Sequence, residues 1–345
     1  MTGVSEAAST HGATRETRVL AAAPTSFLVS GTGEPAFGAY QGPLPRVELG
    51  DLGLRDRIAR RKRWVYGAIV TGEVWLSFAI VRTGYAATVF AFAYDLVAKR
   101  MLVDRTVLGP SARVADDVHA QGEIAHFQLG KRQVSLVRSG ASLDVRVRLD
   151  GIAIDASIDE GSGPPAITAI APVGAPGEGC LNATEKRVLM GVKGRATCSS
   201  RGFVLDGGDA GYDYTHGILP RHTRWRWAFA QGRTTAGEPI AFNVVEGFVG
   251  EAECAAFLGG KVIAIAEPAF AFDVADPTKP WRLTGRGIDL RFSPGGVHHQ
   301  HTNLVVVKSR FVQPVGVFEG TLSLGGREVE VRDLPGVVED QDVLW

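Results

Sequence analysis

Two stretches of this chain carry side chains of the types and spacing that could do chemistry. The first is Asp213-Tyr214-Thr215-His216-Gly217. Asp213 could orient the His216 imidazole, and Tyr214 could donate a proton. The competing reading is a polar turn at a loop, in which Asp213 caps backbone amides. No Gly-x-Ser-x-Gly elbow accompanies the histidine, so a hydrolase triad is not supported. The second stretch is Phe242–Phe248. As a strand it places Phe242, Val244, Glu246 and Phe248 on one face. A carboxylate on an apolar face is costly unless paired or protonated, and desolvation raises its pKa. That suits a general acid able to protonate an alkene or a carbonyl. The competing reading is an ion pair with Arg224, Arg226 or Arg310. Glu246, Asp213, His216 and Tyr214 are therefore the candidate catalytic residues.

A ligand wall is suggested by Arg224–Arg233. Alternation puts Trp225, Trp227 and Phe229 on one face and Arg224 and Arg226 on the other. The tryptophans either pack a core or wall an apolar pocket. Asn243, Arg310 and Gln313 are polar residues that could hydrogen-bond a ligand there, or bond backbone at a barrel corner. In Gly84–Leu96, Ala87, Val89, Ala91, Ala93 and Asp95 share a face whose small side chains could line a cavity or allow close packing. His298-His299-Gln300-His301 follows Ser293-Pro294-Gly295-Gly296, a turn signal, so these histidines are expected to face solvent. No acidic or cysteine partner lies near them, and no metal is expected. The glycines sit at turn spacing with no GxGxxG opening a helix, so no nucleotide cofactor is expected.

These residues need a scaffold, and composition bounds it. The chain has 345 residues, 45% hydrophobic and 21% charged, which excludes disorder throughout. Its 37 basic residues balance 37 acidic ones, against nucleic acid as a main partner. The basic run Arg55–Arg63 reads as a solvated helix face, and also admits a peripheral contact with anionic lipid. Three scattered cysteines, Cys180, Cys198 and Cys254, read as reduced thiols of a cytoplasmic protein. The first 18 residues lack a basic segment followed by an apolar one, and residues 1–20 read as a disordered tail. The apolar stretch Val74–Ala98 is broken by Arg82-Thr83-Gly84, so it reads as two buried strands and a turn rather than a membrane span.

With 43 glycines and 17 prolines the chain is cut into strand-length pieces rich in Val, Ile, Phe, Thr and Trp. One run covers Arg63–Gly72, Glu73–Arg82, Ala86–Leu96, Gly122–Leu129, Gln133–Arg138 and Leu143–Leu149. A second covers Arg224–Arg233, Ile240–Phe248, Ala255–Leu258, Lys261–Ala266, Gly287–Phe292, Asn303–Phe311 and Gly316–Leu324. A helix is expected only around Asp51–Lys62, and Gly161–Gly179 reads as a loop or linker. A weak internal repeat matches Arg63-Trp64-Val65-Tyr66 to Arg224-Trp225-Arg226-Trp227, and Phe78-Ala79-Ile80-Val81 to Phe242-Asn243-Val244-Val245. The expectation is an all-β protein of two antiparallel β-barrel domains with few helices, residues 21–205 and 206–345. A closed barrel removes exposed edges and can enclose a ligand.

Five stretches carry a resemblance: GYAATVFAFAYDL (84–96), DYTHGILPRHTRWRWAFAQG (213–232), FNVVEGF (242–248), SRFVQPVGVFEGTL (309–322) and LPGVVEDQDVLW (334–345). Jointly they resemble the bacterial family called domain of unknown function 2804, over about residues 60–345. That family is in turn remotely similar to a lipocalin-like group with carotenoid 1,2-hydratase, fungal Diels–Alderases and a yeast survival factor. The resemblance implies two lipocalin-like β domains and an apolar ligand; it transfers no catalytic residue. The expected function is binding of a hydrophobic small molecule, a lipid or isoprenoid, in an apolar pocket. The alternative is a cofactor-independent hydratase, isomerase or cyclase acting on such a molecule by acid–base catalysis.

Overall fold

Alternation of buried and exposed side chains makes the simplest part of the fold. In Ser142–Leu149 and Ile152–Asp159 every second residue is buried, as in a sheet with one wet face. Arg61–Val70, Val74–Arg82 and Ala87–Asp95 are buried on both faces over most of their length. They are covered on each side by apolar layers, and that two-sided burial organises the molecule.

The computed structural model describes residues 19–303 and 308–345. Among them the chain forms two curled, barrel-like sheets of 15 and nine strands. Pairing is antiparallel except between Ala21–Ala22 and Gly38–Gln41. In the first sheet Arg100–Gly109, Ala87–Asp95, Val74–Arg82, Arg61–Val70, Gly208–Ile218 and Leu181–Cys198 lie side by side. In the second, Pro239–Gly247, His222–Arg233, Arg327–Leu344, Lys308–Leu324 and Ile288–Asn303 do so. The expected all-β class with two antiparallel barrel-like halves is what the chain adopts. The expected N-terminal tail lies outside the described residues up to position 18. No helix among the described residues is long and apolar enough to cross a membrane, and Val74–Arg82 and Ala87–Asp95 are the two strands expected in place of a span.

The first sheet encloses its own core, with Val65, Ile69, Leu76, Phe78, Val89 and Phe127. Its opposite face presents Trp64, Tyr66, Trp75 and Phe90 to the second sheet. Trp64 stacks on Trp225 at 6.0 Å between ring centroids, Tyr66 meets Trp227 edge-on at 5.4 Å, and Trp75 tilts against Phe229 at 5.9 Å. Such pairs add about 0.5–1.5 kcal/mol each beyond their burial. Two aligned pairs of the sequence repeat, Trp64 with Trp225 and Tyr66 with Trp227, thus face one another across the junction of the sheets.

Several expectations are corrected. Asp213–His216 is not a loop: it lies inside the strand Gly208–Ile218, which pairs in the first sheet, and the second sheet starts at His222. Gly161–Gly179 contains a strand, Ile167–Pro172, held between Gly38–Gln41 and Leu181–Cys198. The expected helix shrinks to one turn, Asp56–Arg60, because the chain becomes extended at Arg61. Lys62 and Arg63 of the basic run are buried rather than solvated. The His298 run is strand, not turn: a β-bulge at Pro294–Gly296 absorbs the turn-forming residues and the ladder continues. His298 is fully buried, stacks on Phe90 at 4.6 Å, and its Nδ1 hydrogen-bonds Asp104 Oδ1 at 2.7 Å. The side chain of His301 lies outside the described residues. In Ala87–Asp95 the small face packs into the first core, and the opposite face, through Thr88 and Phe90, lines a cavity.

Candidate active site

The aromatic pairs do not fill the junction of the sheets. Between them is a cavity of about 310 Å³, at the small end of the range for small-molecule sites. Trp64, Tyr66, Phe90, Trp225, Trp227 and Phe311 form most of its apolar wall, and Lys186, Asp213, Glu253 and Glu339 also line it. An apolar pocket with a few convergent polar groups is the usual form of a small-molecule site.

Sheet register brings the polar groups together. Lys186, Asp213, Tyr66 and Ala79 are direct neighbours across four adjacent strands of the first sheet. From the second sheet, Glu339 lies directly opposite Trp227, and Gln341 opposite Trp225. Glu339 is 7% exposed. Its carboxyl accepts hydrogen bonds from Trp225 Nε1 at 2.8 Å and Gln313 Nε2 at 2.9 Å. Burial still outweighs these bonds and pushes its pKa up to about 7. Burial likewise lifts Glu253 to about 7, against the opposing pull of Lys186 Nζ at 3.7 Å. Burial works against the Lys186 charge, but Asp213 Oδ1 at 2.6 Å and Glu253 outweigh it and hold the amine above its usual pKa. The cavity therefore holds a Lys186–Asp213 ion pair and two carboxyls able to exchange a proton near neutral pH.

The residues singled out from the sequence separate into two groups. Trp225, Trp227 and Asp213 line the cavity. Asn243 and Gln313 are fully buried beside it: Asn243 Oδ1 accepts from Trp227 Nε1 at 2.7 Å, and its Nδ2 donates to the Glu253 carbonyl at 2.8 Å. They position the indole and the acids. Glu246 and Arg310 lie on the other side of the second sheet. Glu246 pairs with Arg226 at 2.6 Å and is about a quarter exposed, and Arg310 pairs with Asp340. Tyr214 and His216 point into the first barrel, because they alternate with Asp213 and Thr215 along one strand. Tyr214 donates to the Ala115 carbonyl at 2.8 Å, and His216 Nε2 accepts from Arg61 Nε at 3.0 Å. Asp213 therefore cannot orient His216. Burial, then the charges of Arg61, Arg63 and Arg82, hold His216 well below the usual histidine range, so it is neutral.

Glu339, Glu253 and Lys186 were not singled out from the sequence. Glu339 sits in Val337-Val338-Glu339-Asp340-Gln341-Asp342, and alternation there aligns it with Gln341, Val343 and Trp345, a signal present but masked by the acidic neighbours. Among the described residues no cluster of three or more His, Cys, Asp or Glu could hold a metal ion.

The model of the family described as Domain of unknown function (DUF2804) matches residues 16–345. The chain belongs to this family. No match to a curated protein sequence was found. Among solved structures the chain is similar to kievitone hydratase from Nectria haematococca, with 13% identity, TM-score 0.51, and 88% of this chain and 95% of that one covered. It is also similar to CghA in complex with Sch210972, with 14% identity, TM-score 0.53, and coverage of 93% and 97%. A putative AttH from Nitrosomonas europaea matches at 13% identity and TM-score 0.51, over 86% and 98% of the two chains. The expected remote relationship to the lipocalin-like hydratase and Diels–Alderase group is thereby borne out, as a similarity of fold.

Proposed function

We propose that this family member binds an apolar small molecule, of lipid or isoprenoid character, in the cavity between its sheets and moves a proton on it using its own side chains. The observation that carries the reading is Glu339: a buried carboxyl with a pKa of about 7 in the wall of an aromatic cavity. An acid near neutrality in such a wall is what a hydratase, isomerase or cyclase requires. In the protonated state the Glu339 O–H bond breaks as a new bond to hydrogen forms on an alkene carbon or carbonyl oxygen. Glu253, also near neutrality, takes up the proton released later from the substrate or from an added water. The Lys186–Asp213 pair supplies a fixed dipole for the charge that develops between these steps.

The names of two similar structures support this class by analogy of fold. One is a hydratase, and the other was solved with a small molecule in place. The three cysteines are free rather than bridged, which supports a cytoplasmic setting. The test is a split between affinity and turnover. On the molecule extracted from protein purified from its own host, Glu339→Gln should bind as the native chain does and lose turnover. Equal turnover by Glu339→Gln would leave a binding protein and remove the acid from the mechanism.

A further inference from the structure

A second pocket, of about 170 Å³, opens at the end of the first barrel and is lined by Arg57, Arg61, Arg63 and Arg82. Arg61 and Arg63 are two apart on one strand and so share its inner face. Arg82 is directly opposite Arg63 in the neighbouring strand. Like charges in that relation destabilise a sheet. Arg57 is brought over them by the turn Asp56–Arg60, which lies so close to Gly84 that a Cβ there would come within 2.3 Å of the Ile58 carbonyl. One carboxylate answers these four guanidiniums: Asp116 pairs with Arg61 at 2.8 Å and also with Arg63. Glu48 and Asp51 line the adjoining groove, which shares Arg57 and Arg61. Among the described residues Arg57, which is exposed, and Arg82, which is part-buried, form no salt bridge, although Asp116 is near enough to attract Arg82. Beneath the cluster His216 is neutral and adds an acceptor to Arg61, not a counter-charge. Arg63 is only 8% exposed.

An anion relieves the mutual repulsion of clustered guanidiniums, and their forks match the oxygens of phosphate and carboxylate. We infer that this four-arginine pocket is a binding site for a phosphate-class oxyanion. The site stands on its own geometry, whatever occupies the large cavity. Thr83, however, lines both pockets, so the anion is either free or the head of a molecule whose apolar part enters the cavity at that rim.

The experiment is thermal unfolding and calorimetric titration of the full chain with inorganic phosphate and, separately, dodecyl phosphate, at ionic strength held constant with chloride. Arg82→Gln and Arg57→Gln are the test variants, and Arg132→Gln, paired with Asp150 on a distant surface, is the control. Arg82→Gln removes one of four mutually repelling charges, so without anion it should melt at or above the native temperature. Its affinity for the anion should fall by about tenfold or more, with Arg132→Gln unchanged. A shift with inorganic phosphate marks a free anion; a shift with dodecyl phosphate alone marks a head group. No binding of either, or binding undiminished in Arg82→Gln and Arg57→Gln, would overturn the inference.

Discussion

Trp225 Nε1 donates a 2.8 Å hydrogen bond to Glu339 Oε1, joining the aromatic wall of the cavity to one of its two acids near neutrality. The same indole stacks on Trp64 of the other sheet. One side chain thus closes the junction of the sheets and orients the carboxyl. Trp225→Phe keeps most of the ring contact and removes the donor. Because that donor opposes the rise in the Glu339 pKa, and Glu339 acts in its protonated form, its loss should move the alkaline limb of any pH–rate profile upward, with the fold retained. A profile unchanged in Trp225→Phe would separate the indole from the acid.

Glu339 and Glu253 also make stability depend on pH. Each has a folded pKa of about 7, above its ordinary 4.5. Between those values the native state holds protons that the unfolded chain has released. Their stabilising contribution is therefore complete below about pH 4.5 and is lost as pH rises through about 7. Urea midpoints measured from pH 5 to 8 should fall across that window, and Glu339→Gln with Glu253→Gln should flatten the fall.

The Lys186–Asp213 pair is largely buried, with side chains 5% and 13% exposed. Lys186→Met leaves Asp213 and Glu253 without their cation and should cost about 3–5 kcal/mol in urea unfolding. Lys186→Met combined with Asp213→Leu removes both charges of the pair and should recover a large part of that loss. If the double variant is as unstable as the single one, the loss comes from packing and not from a stranded charge.

Glu246 provides the contrast. It lies across the second sheet from the cavity in a partly exposed pair with Arg226. Glu246→Gln should cost no more than about 1 kcal/mol and leave ligand affinity unchanged. A selective loss of turnover in Glu246→Gln would place the chemistry on the other side of the sheet.

Alternation made much of the architecture legible. It placed Trp225, Trp227 and Phe229 on one face, and that face is the one that meets the other sheet. It also separated Asp213 from His216, once the segment is known to be a strand. What could not be read was which charges are buried. Glu185-Lys186-Arg187 looks like a solvated run, yet Lys186 is covered by the second sheet and Glu185 by the first barrel, where Tyr212 donates to it at 2.6 Å. Neither partner is near in sequence, so only the pairing of distant strands reveals them. At Ser293–Gly296 the residues of a turn occur in a bulge, and the local signal pointed the wrong way for His298.

The central claim is that an apolar molecule occupies the cavity between the sheets, and its most direct test is native mass spectrometry of the chain purified from its own host, run beside Ala86→Trp. Ala86 lines the cavity at the turn after Val74–Arg82 and is only partly buried, so a large side chain there takes up ligand space without invading either core. The expected result is one apolar molecule bound per native chain, recoverable by solvent extraction, and an empty Ala86→Trp chain of undiminished thermal stability. A native chain that is empty, with tryptophan fluorescence unmoved by added lipids and isoprenoids, or a ligand retained in full by Ala86→Trp, would contradict the account.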